Sequence, residues 1–364
     1  VAENHSSAAE YNKVFIMHPS WQEFLAIRQA QIDNGTVMNF GDAAGELAAA
    51  RDATVLCDLS HFGVLKVSGE DAQSFLQNLF SSDVKAVTPA QAQWSSFNTA
   101  KGRILATFLV WQTGPDYFLQ LPKSLAAALQ KKLSMYVLRS KVKITDVSDE
   151  LVCLGLAGKE ANALALESLA AVPADILGAT QSAGASVIRL GQDRLVAFVA
   201  PQAASMLWES LACGSRPAGA AVWDWLNIRA GIPVVLPATQ EEFVPQMANL
   251  ELIGAVNFKK GCYPGQEIVA RMQYLGRLKQ RMYLAHLPPA HIPGNSALQP
   301  GDKLYSAEME GQSSGTVVNA APAPGGGYDL LAVVQISSRA SHSVHLGSPQ
   351  GAALEFLPLP YPLP

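Results

Sequence analysis

The sequence predicts an α+β chain of several packed units that closes with a small antiparallel β-barrel. Three observations carry this. The chain has 364 residues, 49% hydrophobic and 15% charged, which is ample apolar material for more than one core and too little charge for a disordered polymer. Strand–helix–strand patterns follow one another twice between about residues 64 and 212. After about residue 279 the texture changes to short β-rich runs parted by proline and glycine.

Residues 1–20 are polar and weakly patterned and read as a flexible N-terminal arm. The first α/β unit, 21–150, opens on helical stretches through Trp21–Asp33 and near Ala43–Arg51. A strand at Val64–Val67 leads to a helix opened by Asp71, with Phe75, Leu76, Leu79 and Phe80 on one face. Strands at Trp94–Asn98, Ile104–Gln112 and Tyr117–Leu121 precede a helix over about Ser124–Leu138 and a strand at Lys141–Val147. The second unit, 151–278, repeats the rhythm without repeating the sequence. It has a strand at Leu151–Leu156, a helix near Glu160–Ala171, strands at Val187–Leu190 and Arg194–Val199, and a helix at Ala203–Ala212. From 279 to 364 the runs Arg281–Leu284, Asp302–Leu304, Gly315–Val318 and Asp329–Val334 read as the β-barrel, with no helix among them.

A formal net charge of -4 does not advertise a nucleic-acid surface. No apolar run reaches membrane-spanning length, and the first twenty residues lack a signal-peptide layout. The expectation is a soluble cytoplasmic protein with no direct nucleic-acid or membrane partner. The four cysteines, Cys57, Cys153, Cys213 and Cys262, form no C-x-x-C pair, so no metal site is expected. Cys57 and Cys153 sit in apolar strand-like runs and read as buried thiols, whereas Cys262 has polar, charged and glycine neighbours.

Those neighbours form the octapeptide Lys260-Gly261-Cys262-Tyr263-Pro264-Gly265-Gln266-Glu267. Gly261 and Gly265 permit tight turning or close approach to a ligand, and Pro264 stiffens the loop between them. Lys259, Lys260 and the downstream Arg271 place cations around a thiol, which favours the thiolate. Gln266 and Glu267 supply an amide and a carboxylate able to pair with a ligand's donors and acceptors. The plainer reading of such a segment is a glycine-rich turn whose cysteine merely packs.

The octapeptide and its flanks resemble the signature of the YgfZ family. The flanks are Ala230-Gly231-Ile232-Pro233, Pro245-Gln246, Asn249-Leu250, Phe258-Lys259, Val269-Ala270-Arg271, Tyr274 and Gly276. Weaker matches at Asp58-Leu59-Ser60, Phe75-Leu76-Gln77, Lys101-Gly102-Arg103 and Leu138–Val142 extend the likeness along the chain. The resemblance implies an aminomethyltransferase-like cloverleaf of three domains with tetrahydrofolate, or a derivative, in a central opening. It implies support for the assembly or repair of iron–sulfur clusters in client enzymes, including tRNA-modifying ones. It makes Cys262 the working residue. The candidate folate contacts are Asn98, Lys101, Arg103, Gln246, Asn249, Lys260, Gly261, Tyr263, Gly265, Gln266, Glu267 and Arg271. The pterin is expected near the octapeptide and the glutamate tail near Lys101 or Arg103.

The chain departs from the related glycine-cleavage aminomethyltransferase where that enzyme keeps its acid–base carboxylate. In Gly102-Arg103-Ile104-Leu105-Ala106-Thr107, the acidic positions hold Ala106 and Thr107. Its Arg-x-Glu-Ala-Gly motif stands here as Asn227-Ile228-Arg229-Ala230-Gly231, so its folate contacts do not carry over to Asn227 and Arg229. Gly155-Leu156-Ala157-Gly158 lacks the rest of a dinucleotide fingerprint, and His342 and His345 read as surface residues. Three functions stay open: a folate-binding iron–sulfur maintenance factor, a folate-dependent one-carbon transferase, and an interaction scaffold with a decayed folate site.

Overall fold

A computed structural model describes residues 17–289 and 297–364, and four sheets organise these residues. Most of the expected arm, residues 1–16, lies outside the described residues.

The chain enters through α1 (Pro19–Ile27), with proline at the first turn, where its missing N–H costs nothing. Trp21 and Leu25, one turn apart, are buried, and the Trp21 indole donates to Asp58 Oδ2 at 2.7 Å. Next come β1 (Gln31–Asp33) and β2 (Thr36–Asn39), a hairpin closed by Asn34-Gly35. Both turn residues have positive φ, 47° and 73°, the type I′ geometry that an Asn-Gly pair favours. The helix expected to run to Asp33 therefore ends at Ile27. Then follow α2 (Ala43–Asp52), whose first turn is capped by Asp42, and β3 (Thr54–Asp58).

The next stretch carries β4 (Phe62–Ser68), α3 (Ala72–Gln77), β5 (Gln93–Asn98), β6 (Ile104–Thr113), β7 (Asp116–Pro122), α4 (Lys123–Ser134) and β8 (Lys143–Asp146). Its strands form an antiparallel sheet in the order β5-β6-β7-β4-β8. Phe75, Leu76, Leu125 and Leu129 of α3 and α4 cover one face in a core of their own. Then come β9 (Val152–Gly158), α5 (Ala161–Leu169), β10 (Ala179–Ser182), β11 (Ala185–Gly191), β12 (Arg194–Val199), α6 (Pro201–Ala212), β13 (Arg216–Ala218) and α7 (Ala220–Arg229). The second sheet runs β10-β11-β12-β9-β3-β13 and so takes in β3 from earlier in the chain. The other faces of the two sheets share one core, in which Trp111 stacks on Phe198 at 4.0 Å.

After α8 (Gln266–Tyr274) come β14 (Gln280–Leu287), β15 (Lys303–Tyr305), β16 (Ser313–Pro322), β17 (Tyr328–Gln335), α9 (Ile336–Ser341), β18 (His345–Leu346) and β19 (Glu355–Leu357). These strands form a curled antiparallel half-barrel, ordered β18-β15-β16-β17-β14-β19. The short α9 corrects the expectation of a helix-free C-terminal region. Its few residues give too little periodicity to separate a helix from a loop. The architecture is the expected α+β one, with antiparallel β-structure at the C-terminal end.

Candidate functional site

The octapeptide is fastened at both ends and open in its middle. Lys260 turns its ammonium into the protein and donates to the carbonyls of Gln77, Phe80 and Ser82 at 2.6, 2.5 and 2.8 Å. These oxygens lie at and just beyond the end of α3, where helix carbonyls lack intrahelical partners and carry partial negative charge. Burial pushes this ammonium down to about 8, with Asp83 opposing the shift. Tyr263 is buried, its ring 5.2 Å from that ammonium, and burial pushes its phenol up to about 12.

At the other end, Gly265 has φ +78° and starts α8. A Cβ there would lie 2.4 Å from the Thr99 carbonyl and 2.5 Å from Gly102, at the tip of the β5–β6 hairpin. This glycine thus serves close approach of backbone to backbone. Between the fastenings, Gly261 and Cys262 are exposed, and a Cβ on Gly261 would meet nothing within 4 Å. Lys260, expected beside the thiol, is instead engaged with α3.

The remaining candidates divide by role. Gln266 donates to the Lys260 carbonyl at 3.3 Å. Glu267 and Arg271 are exposed in the first and last turns of α8, the placement the helix dipole favours. Lys101 is exposed, and Arg103 donates to the Glu242 carbonyl at 2.7 Å. Gln246 is buried and donates to Val269 at 2.7 Å, which ties its segment to α8. Asn249 is buried, donates to Met282 at 2.9 Å and accepts from Arg281, itself paired with Glu251 at 2.9 Å. Asn98 is buried, and its Oδ1 accepts from Ser96 at 3.1 Å. Buried polar atoms of this region without partners are Asn98 Nδ2, Gln246 Oε1, Glu251 Oε2 and the Tyr263 hydroxyl.

A second place was not legible beforehand. A cavity of about 340 Å³ opens where the β1–β2 turn, β4, the β7–α4 junction, α7 and β16 meet. None of the candidate contacts from Asn98 to Arg271 lines it. Phe62, Pro122, Val234 and Leu236 give it apolar walls, and His61, Lys123, Asp224, Asn227 and Asn319 give it polar ones. A smaller recess shares Phe62, Pro122, Asn227 and Val234 and adds Trp94, Thr107, Gln120 and Trp223. Both ring nitrogens of His61 and Nε2 of Gln120 are buried without hydrogen-bond partners. His61 Nε2 stands 3.5 Å from Asp224 Oδ1. Burial lowers the Lys123 ammonium from its ordinary value, with Asp146 and Asp58 opposing.

Asn227, Asn319 and Thr107 are engaged by the surrounding structure. Asn227 accepts from the buried Arg194. Asn319 exchanges two hydrogen bonds with Val234, at 2.9 and 2.7 Å. Thr107 donates to the Pro233 carbonyl at 3.1 Å and accepts from Val235 N–H at 3.0 Å, and Ala106 is buried, so neither position offers a carboxylate. Arg229 reaches the half-barrel, 3.5 Å from Asp329, which also takes the Trp225 indole and His286 at 2.8 Å each. Gly102 under the octapeptide and Thr107 at the recess are parted by on the order of 15 Å of strand.

Among the described residues no cluster of His, Cys, Asp or Glu is placed to hold a metal ion, and no helix is long and apolar enough to cross a membrane.

The fold defines the class. The chain superposes on the glycine cleavage system aminomethyltransferase T from Bartonella henselae with a TM-score of 0.76, covering 94% of this chain and 96% of that one at 17% identity. Residues 8–178 match the GCVT N-terminal domain family. Within that class, the tRNA-modifying protein YgfZ of Colwellia psychrerythraea (strain 34H) is 32% identical over 232 residues, 63% of this chain and 71% of that protein. The protein of the same name from Klebsiella pneumoniae (strain 342) is 28% identical over 321 residues, 87% and 95% of the two chains. The chain belongs to the YgfZ family.

Proposed function

We propose that this protein holds a reduced folate, tetrahydrofolate or a derivative, in the central cavity and serves the assembly or repair of iron–sulfur clusters in client enzymes. Cys262 is its working thiol, and it acts in the cytoplasm without binding nucleic acid or membrane directly. The name of the relatives, tRNA-modifying protein, points to tRNA-modifying enzymes among the clients.

The observation that carries the folate reading is the set of unpartnered buried atoms on His61 and Gln120, which line the cavity and its adjoining recess. A buried polar group without a partner costs about 1–3 kcal/mol. A pterin, flat and edged with donors and acceptors, can meet such atoms while its faces lie on apolar walls. The residues present therefore fit the group. A bound reduced folate would supply one-carbon units or reducing capacity. The octapeptide, read from the sequence as the pterin's neighbour, is assigned instead to presenting Cys262. Aminomethyl transfer of the glycine-cleavage kind is disfavoured, because Thr107 is committed at both ends and Ala106 has no polar group.

The test has two arms. Calorimetry with tetrahydrofolate should give saturable binding at micromolar to millimolar ligand, and its absence would sink the folate half. A strain lacking its own YgfZ-family protein should recover cluster-enzyme activity with the wild-type chain. Recovery failing with wild type would remove the iron–sulfur half.

A further inference from the structure

We propose that Asp224 and His61 form the pole of the cavity that reads the ligand's head, with the Asp224 carboxylate accepting from the amino-pyrimidine edge of a bound pterin. This rests on the folate reading above and deepens it to orientation.

Asp224 is the one carboxylate lining the cavity among the described residues. The pyrimidine edge of a pterin carries a ring N–H and an amino group side by side. A carboxylate, with two acceptor oxygens and no proton, matches both at once. Of the amides there, Asn227 is engaged through its Oδ1 by Arg194, and Asn319 through both ends by Val234. His61 stands 3.5 Å from the carboxylate and has no hydrogen-bond partner, so the pair has bonding capacity left and the charge to orient a ligand. The imidazole packs against Phe62, 4.4 Å between centroids with the ring planes tilted by 50°, at the cavity wall.

Asp224 and Asn227 are three residues apart on α7 and line the same cavity, whereas Arg229 turns to Asp329 of the half-barrel. The helix thus offers the cavity a carboxylate at 224, while its cation at 229 lies against the half-barrel. The opposite orientation would set the carboxylates of the glutamate tail against Asp224. Lys123, the cation of the same wall, has Asp146 and Asp58 as opposing charges.

The experiment uses three probes on the full chain by calorimetry: tetrahydrofolate, tetrahydropterin as head alone, and p-aminobenzoylglutamate as tail alone. Asp224→Asn should weaken tetrahydrofolate and tetrahydropterin roughly 10- to 100-fold and leave the tail fragment unchanged. His61→Leu should weaken the same two probes by a smaller factor. The Asp224 side chain is 45% exposed, so its replacement opens no core, and Asp224→Ser serves as a second variant if the asparagine variant misfolds. Wild-type affinity retained by the Asp224 variants, or a loss confined to p-aminobenzoylglutamate, would overturn the orientation alone. Failure of the wild-type chain to bind tetrahydrofolate would overturn the folate reading and this inference with it.

Discussion

Lys260 at the octapeptide and His61 at the central cavity are both nitrogen bases drawn out of water, yet they differ in company. Lys260 has three carbonyl acceptors at 2.5–2.8 Å, while His61 has no hydrogen-bond partner for either ring nitrogen. The difference teaches how the two regions divide the work. The lysine's bonding capacity goes into holding a loop, so the motif's conspicuous charge is architectural and its thiol is left facing outward. The histidine keeps its capacity for whatever enters the cavity. On the order of 15 Å of strand parts the hairpin tip beneath the octapeptide from the recess beside the cavity.

The largest expected effect tests that separation. Cys262→Ala should drop complementation of a cluster-deficient strain to background while tetrahydrofolate affinity and Tm stay at wild-type values. A parallel loss of folate affinity would merge the two regions into one site. Gly265→Ala should destabilise by about 2–4 kcal/mol in urea unfolding, because it adds positive-φ strain to a backbone clash with Thr99 and Gly102. Gly261→Ala, four residues away in the same motif, should stay within about 0.5 kcal/mol, since its Cβ meets nothing.

Lys260→Met should cost about 2 kcal/mol by stranding acceptors at the end of α3. Activity loss in that variant should track loss of fold in circular dichroism. Smallest is Cys153→Ala, a poorer core at about 1 kcal/mol with complementation retained. Alkylation followed by mass spectrometry gives the matching contrast at neutral pH. Burial pushes the Cys57 and Cys153 thiols up, so neither ionises there and both should label only on unfolding, whereas the exposed Cys262 should label in the fold.

Much of the fold was legible because its signals are local. Apolar alternation marked β5 to β7, the facing run Phe75, Leu76, Leu79 and Phe80 marked the α3 region, and the proline- and glycine-parted runs marked the half-barrel. The Trp21–Asp33 stretch misled because its helical composition outweighed Asn34-Gly35, a turn pair that decides the chain's direction through two positive φ values. The octapeptide was legible as residues but not as directions. Nothing in Lys260-Gly261-Cys262 says that the lysine points toward α3 and away from the thiol. The cavity was less legible still. Gln120 is an amide in an apolar strand, His61 follows the noted Asp58-Leu59-Ser60 by one position, and Asp224 sits between two tryptophans. Each acquires meaning only when sheets far apart in sequence meet.

The backbone contact at Gly265 bears on how such a motif ages. Lys260, Tyr263 and Gly265 answer to packing: a carbonyl cage, a buried ring and a touching hairpin. A descendant that abandoned its chemistry would still be held to them, since losing any one would cost it stability. Gly261 and Cys262 are under no such constraint. In a lineage drifting away from its task, most of the octapeptide would persist as a fossil of architecture, and the exposed cysteine would be the first letter to change.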